Sequence, residues 1–190
     1  MYGLTTLFWV MLAVPMAERN GKLTADKLPP QNLEAEKSLL GALLLDKEAI
    51  HKIVDITTAK DFYSRAHQII FEGMLRLYNK QEPIDLLTVS NTLRENNQLD
   101  GVGGVAYLTS LINAVPSSAH VTNYAKIVER KYILRELIDS ANHIIGLGHK
   151  EDLDLEVMLD EAEQKLFAVT QKSTIQAFQP LTKSLNDAFE

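Results

Sequence analysis

Few residue groups in this 190-residue chain have the types and spacing to do chemistry. The run Gly101-Val102-Gly103-Gly104-Val105-Ala106 fits the GxGxxA pattern of dinucleotide-binding loops. That loop works between a strand and a helix, where its glycines let the backbone approach a pyrophosphate. No strand pattern precedes it here, so the run is expected to be a glycine turn leading into a helix. No GxxxxGK(S/T) loop occurs, so no nucleotide is expected on a P-loop. The five histidines, His51, His67, His120, His143 and His149, fall at no metal-ligand spacing. His67 follows Asp61-Phe62-Tyr63 and is expected to hold that loop by hydrogen bonds rather than to ligate a metal. The chain has no cysteine, which excludes a disulfide framework and thiolate zinc sites and suits a reducing, cytoplasmic compartment. No catalytic residue and no cofactor is expected in this chain.

Charge is the second source of chemistry. Lys126, Arg130, Lys131 and Arg135 form a basic stretch interrupted by Glu129 and followed by Glu136, and it reads as a solvated helix face of mixed charge. Glu151, Asp152, Asp154, Glu156, Asp160, Glu161 and Glu163 make the following segment acidic. The two segments would attract each other and set register more than strength. With a net charge of -6, the chain lacks the basic surface that phosphate neutralisation demands, which argues against nucleic acid as its own principal ligand.

The elements that must position these groups are all helical, since no period-2 alternation is long enough for a strand. The fold expected is all-α: a compact helical bundle, a long antiparallel hairpin and the start of a linker helix. Residues 1–28 read as a disordered or artefactual leader. Leu4 to Met16 is mostly apolar, but no Lys or Arg precedes it, Pro15 closes it, and translation is expected to begin at Met16. The stretch is too short to span a bilayer, and no membrane contact is expected.

Residues 29–118 are assigned to the bundle. Asn32 caps a helix with Glu34 and Glu36 in its first turn and Leu33, Leu40 and Leu44 on its apolar face, flanked by Leu39 and Leu43. Gly41 inside that helix points to close approach of a neighbour. Lys47 to Asp55 reads as a short helix. Phe62 and Tyr63 are expected to plug the core, with Ser64 capping the helix that carries His67, Phe71 and Met74. Asp85 caps the next helix, and Val105 to Asn113 forms another.

Residues 119–171 are assigned to the hairpin. Its first arm places Ile127, Leu134, Ile138, Ala141 and Ile145 on one stripe; its second arm places Leu155, Leu159, Ala162, Leu166 and Val169 at heptad spacing. Gly146 and Gly148 are expected to end the first arm in the left-handed conformation, with Asp152 or Asp154 capping the second. Such a pair buries too little by itself and needs further helices on its outer faces. Residues 172–190 read as a linker anchored at Phe178 and a last helix opened by Pro180, carrying Leu181, Leu185 and Phe189 and continuing past Glu190.

Several short motifs, in this order and spacing, resemble the N-terminal domain of the bacterial replicative DNA helicase, the DnaB family. They are Pro30-Gln31 with Glu34-Ala35-Glu36 and Leu39-Leu40-Gly41; Asp61-Phe62-Tyr63 with His67 and Phe71; Pro83-Ile84-Asp85 with Thr88; Gly103-Gly104 with Tyr107-Leu108; Pro116-Ser117; and Asn123-Tyr124-Ala125 with Ile127-Val128. The resemblance runs from Leu28 to Glu190. It implies a bundle plus a hairpin, hairpins of two subunits paired, and three such pairs forming a collar on a hexamer. The collar would receive the C-terminal helicase-binding domain of primase, and a helicase loader is a further implied partner. ATP, Mg and single-stranded DNA would be handled by a RecA-like motor that this chain does not contain.

On this reading the expected partner contacts are Glu34, an acid at an exposed helix start; Tyr107 and Ile144, which lie off their helices' main stripes; and Ile138. Ile127 and Leu134 are expected on the oligomer or hairpin seam. A second reading, the C-terminal helicase-binding domain of a primase, shares the fold type, but Asp61-Phe62-Tyr63 and Pro83-Ile84-Asp85 favour the helicase side. A direct single-stranded DNA binder is disfavoured by the acidic balance.

Overall fold

The computed structural model describes residues 28–115, 117–150 and 154–174, with only the backbone described for 172–174. The expected leader, Asp152, Phe178 and the Pro180 helix lie outside these residues. Six α-helices are described: α1 Leu33–Leu45, α2 Arg65–Asn79, α3 Leu86–Glu95, α4 Gly104–Asn113, α5 Val121–Gly148 and α6 Leu155–Thr174. Short 3-10 turns join them, and no strand occurs among the described residues.

The helix starts follow the capping residues. Asn32 Oδ1 accepts the Ala35 N–H at 3.0 Å, and Asp85 accepts from Leu87 and Thr88 in a capping box closed by Thr88. The Thr88 backbone N–H bond, more than any neighbouring cation, holds the Asp85 carboxyl below its ordinary range. Ser64 stands at the N-cap of α2, but its side chain makes no capping bond; only its carbonyl serves, accepting from Gln68. The expected helix from Lys47 to Asp55 is a 3-10 turn at Ala49–Lys52, which suffices to bury Ile50 and Ile53.

The core joins Leu39, Leu40 and Leu43 of α1 to Ile70, Phe71 and Met74 of α2, Val89 and Leu93 of α3, and Leu108 and Leu111 of α4. Phe62 plugs it as expected, whereas Tyr63 points outward and Leu33, the first residue of α1, is exposed. Gly41 is the point of closest approach. A Cβ there would lie 2.1 Å from the Leu111 carbonyl oxygen and 2.4 Å from Val115 Cγ2.

Helix α5 is 28 residues, roughly 42 Å long at 1.5 Å per residue. Its first turns belong to the bundle, where Val121, Ala125 and Val128 are buried. Its second half runs beside α6, which starts on Asp154: the Asp154 carboxylate accepts the Glu156 N–H at 2.9 Å. Gly146 and Gly148 are not left-handed caps. Both lie inside α5, which ends at His149 in right-handed geometry. Helix α6 also runs past Val169 to Thr174, into the segment read as linker.

The hairpin seam differs from the one expected. Ser140 and Leu147 are buried and His143 bonds Glu161, so the stripe 140–143–147 faces α6. Ile138 and Ser140 are two residues apart, about 200° around the helix. The stripe Ile127, Leu134, Ile138, Ala141 and Ile145 therefore faces away from α6 and is exposed. On α6, Ala162 and Val169 are half-buried, while Leu155, Leu159 and Leu166 are exposed. Heptad spacing identified an apolar stripe but not which neighbour it serves.

Gly41→Ala tests the close approach of α1 and α4. Alanine favours a helix by about 1 kcal/mol, but overpacking against a backbone carbonyl costs about 1–3 kcal/mol. The variant is expected to unfold at lower urea with an unchanged slope.

Candidate docking and assembly surfaces

One buried acid organises the bundle face formed by α1, α2 and α4. Glu36 sits in the first turn of α1, one helical turn from the cap, and is 2% exposed. Its carboxylate accepts the Tyr63 N–H at 2.7 Å, the Ser64 N–H at 3.2 Å and a bond from His67 Nδ1 at 2.6 Å. His67 Nε2 is 2.7 Å from the Tyr107 hydroxyl, and the two rings lie end to end with planes 9° apart and centroids 6.1 Å apart. The chain Tyr107–His67–Glu36 thus links a half-exposed tyrosine of α4 to the backbone that enters α2. His67 holds the loop, as expected, but through Glu36.

Glu34 and Lys37 flank this network. Glu34 is exposed and bonds Lys37 Nζ at 3.0 Å, and that bond raises the Lys37 ammonium above its ordinary range. Burial raises the Tyr107 hydroxyl above the ordinary phenol range; Lys37 opposes the rise, and Glu36 and Glu34 add to it. Glu34 and Tyr107, proposed from the sequence as contacts, therefore share one electrostatic neighbourhood.

Ile138 and Ile144 lie elsewhere, on the second half of α5. Ile138 is 46% exposed on the outward stripe; Ile144 is half-buried. Six residues separate them by roughly 240°, so they belong to different sides of the helix. Ile127 and Leu134 accompany Ile138 on the outward stripe.

Sequence reading missed two features. The first is Glu36, read only as an acid favouring a helix start. Its signal was present in the spacing from Asn32: an acid in the first turn can face either solvent or the adjoining loop. The second is Arg135, read as part of a solvated basic face. Lys126 and Arg130 are exposed, but the Arg135 guanidinium donates to the carbonyls of Pro30 at 2.8 Å and Asp61 at 2.6 Å. It also lies 5.7 Å from the ring centroids of both Tyr63 and Tyr132. Arg135 clasps α5 to the bundle just where the hairpin leaves it. Burial, followed by Glu136 and Asp61, raises the hydroxyl of Tyr132. Between the hairpin arms, His143 Nε2 and the Glu161 carboxylate are hydrogen-bonded at 2.7 Å, in a groove also lined by Tyr132, Glu136, Ser140 and Lys165.

Among the described residues no group of three or more His, Asp or Glu could hold a metal ion, and no helix is long and apolar enough to cross a membrane. The glycine run forms a turn, with Gly103 and Gly104 at φ +99° and +69°, leading directly into α4. The arrangement binds and positions helices.

These features define a class: a helical bundle whose last helix continues into a projecting hairpin, with surfaces suited to docking. The family model described as "DnaB-like helicase N terminal domain" matches residues 28–130, and this chain belongs to that family. It is 41% identical over 169 residues to the replicative DNA helicase DnaB of Geobacillus stearothermophilus, covering 89% of this chain and 37% of that protein. The chain thus spans little more than a third of that relative's length. The crystal structure of the N-terminal domain of DnaB helicase from Mycobacterium tuberculosis superposes with a TM-score of 0.71 at 36% identity, covering 74% of this chain and 99% of that one. A structure described as a DnaB-like replicative helicase and its interactions with primase gives a TM-score of 0.63 at 25% identity, covering 74% of this chain and 31% of that one.

Two outcomes follow from the site geometry. Arg135→Ala removes two charge-assisted bonds to carbonyls and should cost about 3 kcal/mol in a urea melt; Arg135→Lys should recover less than half, lacking the planar fork. On the alkaline side, Tyr107 and Tyr132 hold their protons more tightly in the folded state. Their contribution is complete below the ordinary tyrosine value of about 10 and is lost as pH rises through the folded values. The double variant Tyr107→Phe, Tyr132→Phe should therefore lose stability less steeply with alkali than the parent, as read by melts across that range.

Proposed function

We propose that this chain is the oligomerisation and primase-docking module of a hexameric replicative DNA helicase that unwinds duplex DNA 5′ to 3′ during replication. The observation that carries this reading is the outward apolar stripe of α5, Ile127, Leu134, Ile138 and Ile145, together with Leu155, Leu159 and Leu166 of α6. The largest contiguous apolar patch on an ordinary monomer covers a few hundred Å², and larger ones mark interaction sites. A second hairpin offers the matching surface, which makes paired hairpins, and three pairs in a ring, the natural assembly. The chain then divides by role into the bundle at 29–118, the hairpin at 119–171 and a link to the motor at 172–190.

In this scheme Glu34 and Tyr107 on the bundle, with Ile138 and Ile144 on the hairpin, contact the C-terminal domain of primase. The motor outside this chain carries ATP, Mg and single-stranded DNA, a loader acts on the assembled ring, and the work takes place in the cytoplasm. The family match favours this over the primase-tail reading, and the structural neighbour described with primase supports the docking role.

Light scattering tests the assembly. The chain is expected to exceed monomer mass at high protein concentration, and Leu134→Glu with Ile138→Glu is expected to return it to a monomer with unchanged helical circular dichroism. A strictly monomeric parent chain at the same concentration would refute hairpin pairing.

A further inference from the structure

We propose that His67 and Glu36 are positioning residues that fix the hydroxyl of Tyr107 as a hydrogen-bond acceptor, so the group docking there must be a donor such as an ammonium, guanidinium or amide. This rests on the reading of Tyr107 as a docking contact and specifies the chemistry of what it meets.

Glu36 is a carboxylate with only acceptor sites, and it already takes the backbone N–H groups of Tyr63 and Ser64. Its contact with His67 Nδ1 at 2.6 Å requires the hydrogen to sit on Nδ1. A ring carrying that one hydrogen presents a lone pair at Nε2, and the partner 2.7 Å away is the Tyr107 hydroxyl, which then donates. Each hydrogen in the chain points toward Glu36, and bonds aligned this way reinforce one another. No other protein acceptor for the Tyr107 hydroxyl occurs among the described residues. Reversing the chain would turn that hydrogen outward and leave Nδ1 without a proton facing a carboxylate. What Tyr107 offers outward is therefore the oxygen's remaining lone pair. The charges around it are mixed: Lys37 lies close and is paired with the exposed Glu34, and Glu36 lies beneath.

The ring planes of Tyr107 and His67 are only 9° apart with centroids 6.1 Å apart, so the two rings lie end to end along the hydrogen bond. A partner therefore meets a tyrosine already held in one orientation, so little ordering cost remains at docking.

The test begins with the intact chain labelled with 15N histidine at pH 8, above the ordinary histidine range of about 6.5. Long-range proton–nitrogen correlation is expected to show His67 with its hydrogen on Nδ1 and a pyridine-like Nε2. A hydrogen on Nε2 alone, or on both nitrogens, overturns the proposal without any variant. Glu36→Gln keeps the shape of the side chain, and with its carbonyl oxygen on the Tyr63 N–H its amide gives up the Ser64 N–H and donates to Nδ1. The ring is then expected to switch its hydrogen to Nε2 and turn the Tyr107 hydroxyl outward.

Calorimetry with the C-terminal helicase-binding domain of primase as the probe reads the consequence. Tyr107→Phe is expected to weaken binding about tenfold, the range of one hydrogen bond to a charged donor. Glu36→Gln is expected to weaken it similarly without touching the probe, and the double variant to be no weaker than either. Weakening by Tyr107→Phe but not by Glu36→Gln would overturn the positioning role alone. An affinity unchanged in Tyr107→Phe would overturn the docking role beneath it, whichever tautomer is found.

Discussion

A carboxylate buried without partners is among the most costly groups a small bundle can carry, and Glu36 is 2% exposed in the middle of one. Its position is tolerable only because three donors converge on it: two backbone N–H groups at the entrance to α2 and the imidazole of His67. Each of those donors in turn depends on Glu36. The Tyr63 and Ser64 amides stand just ahead of α2, and by accepting the N-cap N–H Glu36 does from α1 what the acid of a capping box would do locally. This makes the α1–α2 junction specific where apolar packing alone would leave it free to slide. A polar network of this kind defines one arrangement strongly because every alternative strands a buried charge.

The same short segment is held from its other side. Arg135, on α5, bonds the carbonyl of Asp61, and its guanidinium lies near the Tyr63 ring, two residues along. Asp61 uses its carboxylate for a capping box with Thr58, so its carbonyl is left for the arginine. Residues 61–64 are therefore gripped by α1 through Glu36 and by α5 through Arg135. The hairpin leaves the bundle within one turn of that grip. Its direction is set by a bidentate guanidinium on two carbonyls, a far stiffer joint than a patch of leucines.

How much of this could be read in the sequence depends on the kind of interaction. The all-helical fold, the Asn32 and Asp85 caps, and the tight seat of Gly41 were legible because each is local or follows from one side chain's absence. Periodicity placed Leu40 and Leu44 on the apolar face of α1 with Leu39 and Leu43 beside them, and all four are buried, whereas Leu33, read on the same face, is exposed at the helix start. The hairpin's orientation was not. A stripe at heptad spacing announces an apolar face, and Ile138 and Ser140 could each have faced α6; only the packing shows that the serine does. The glycines at 146 and 148 misled for a related reason, since glycine permits a left-handed cap without requiring one. Glu36 and Arg135 escaped notice because their partners lie 27 and 74 residues away, where the sequence gives no spacing to follow.

The hairpin's composition completes the physical picture. Its inner surface is partly polar, with Ser140 and the His143–Glu161 pair between the arms, while leucines and isoleucines line the outside. One part-buried hydrogen bond of this type contributes only about 1 kcal/mol. Two helices joined in this way gain modest stability from each other and keep their larger apolar area unspent. A self-contained hairpin would show the reverse pattern, with aliphatic residues inside and charges outside. Leu147 and the half-buried Ala162 and Val169 give these arms some apolar contact, but most of their leucines and isoleucines stay exposed, whereas the bundle encloses its own core. The described residues thus divide into a bundle with its own core and arms that leave an apolar stripe exposed, joined by the continuous helix α5 and fastened by Arg135.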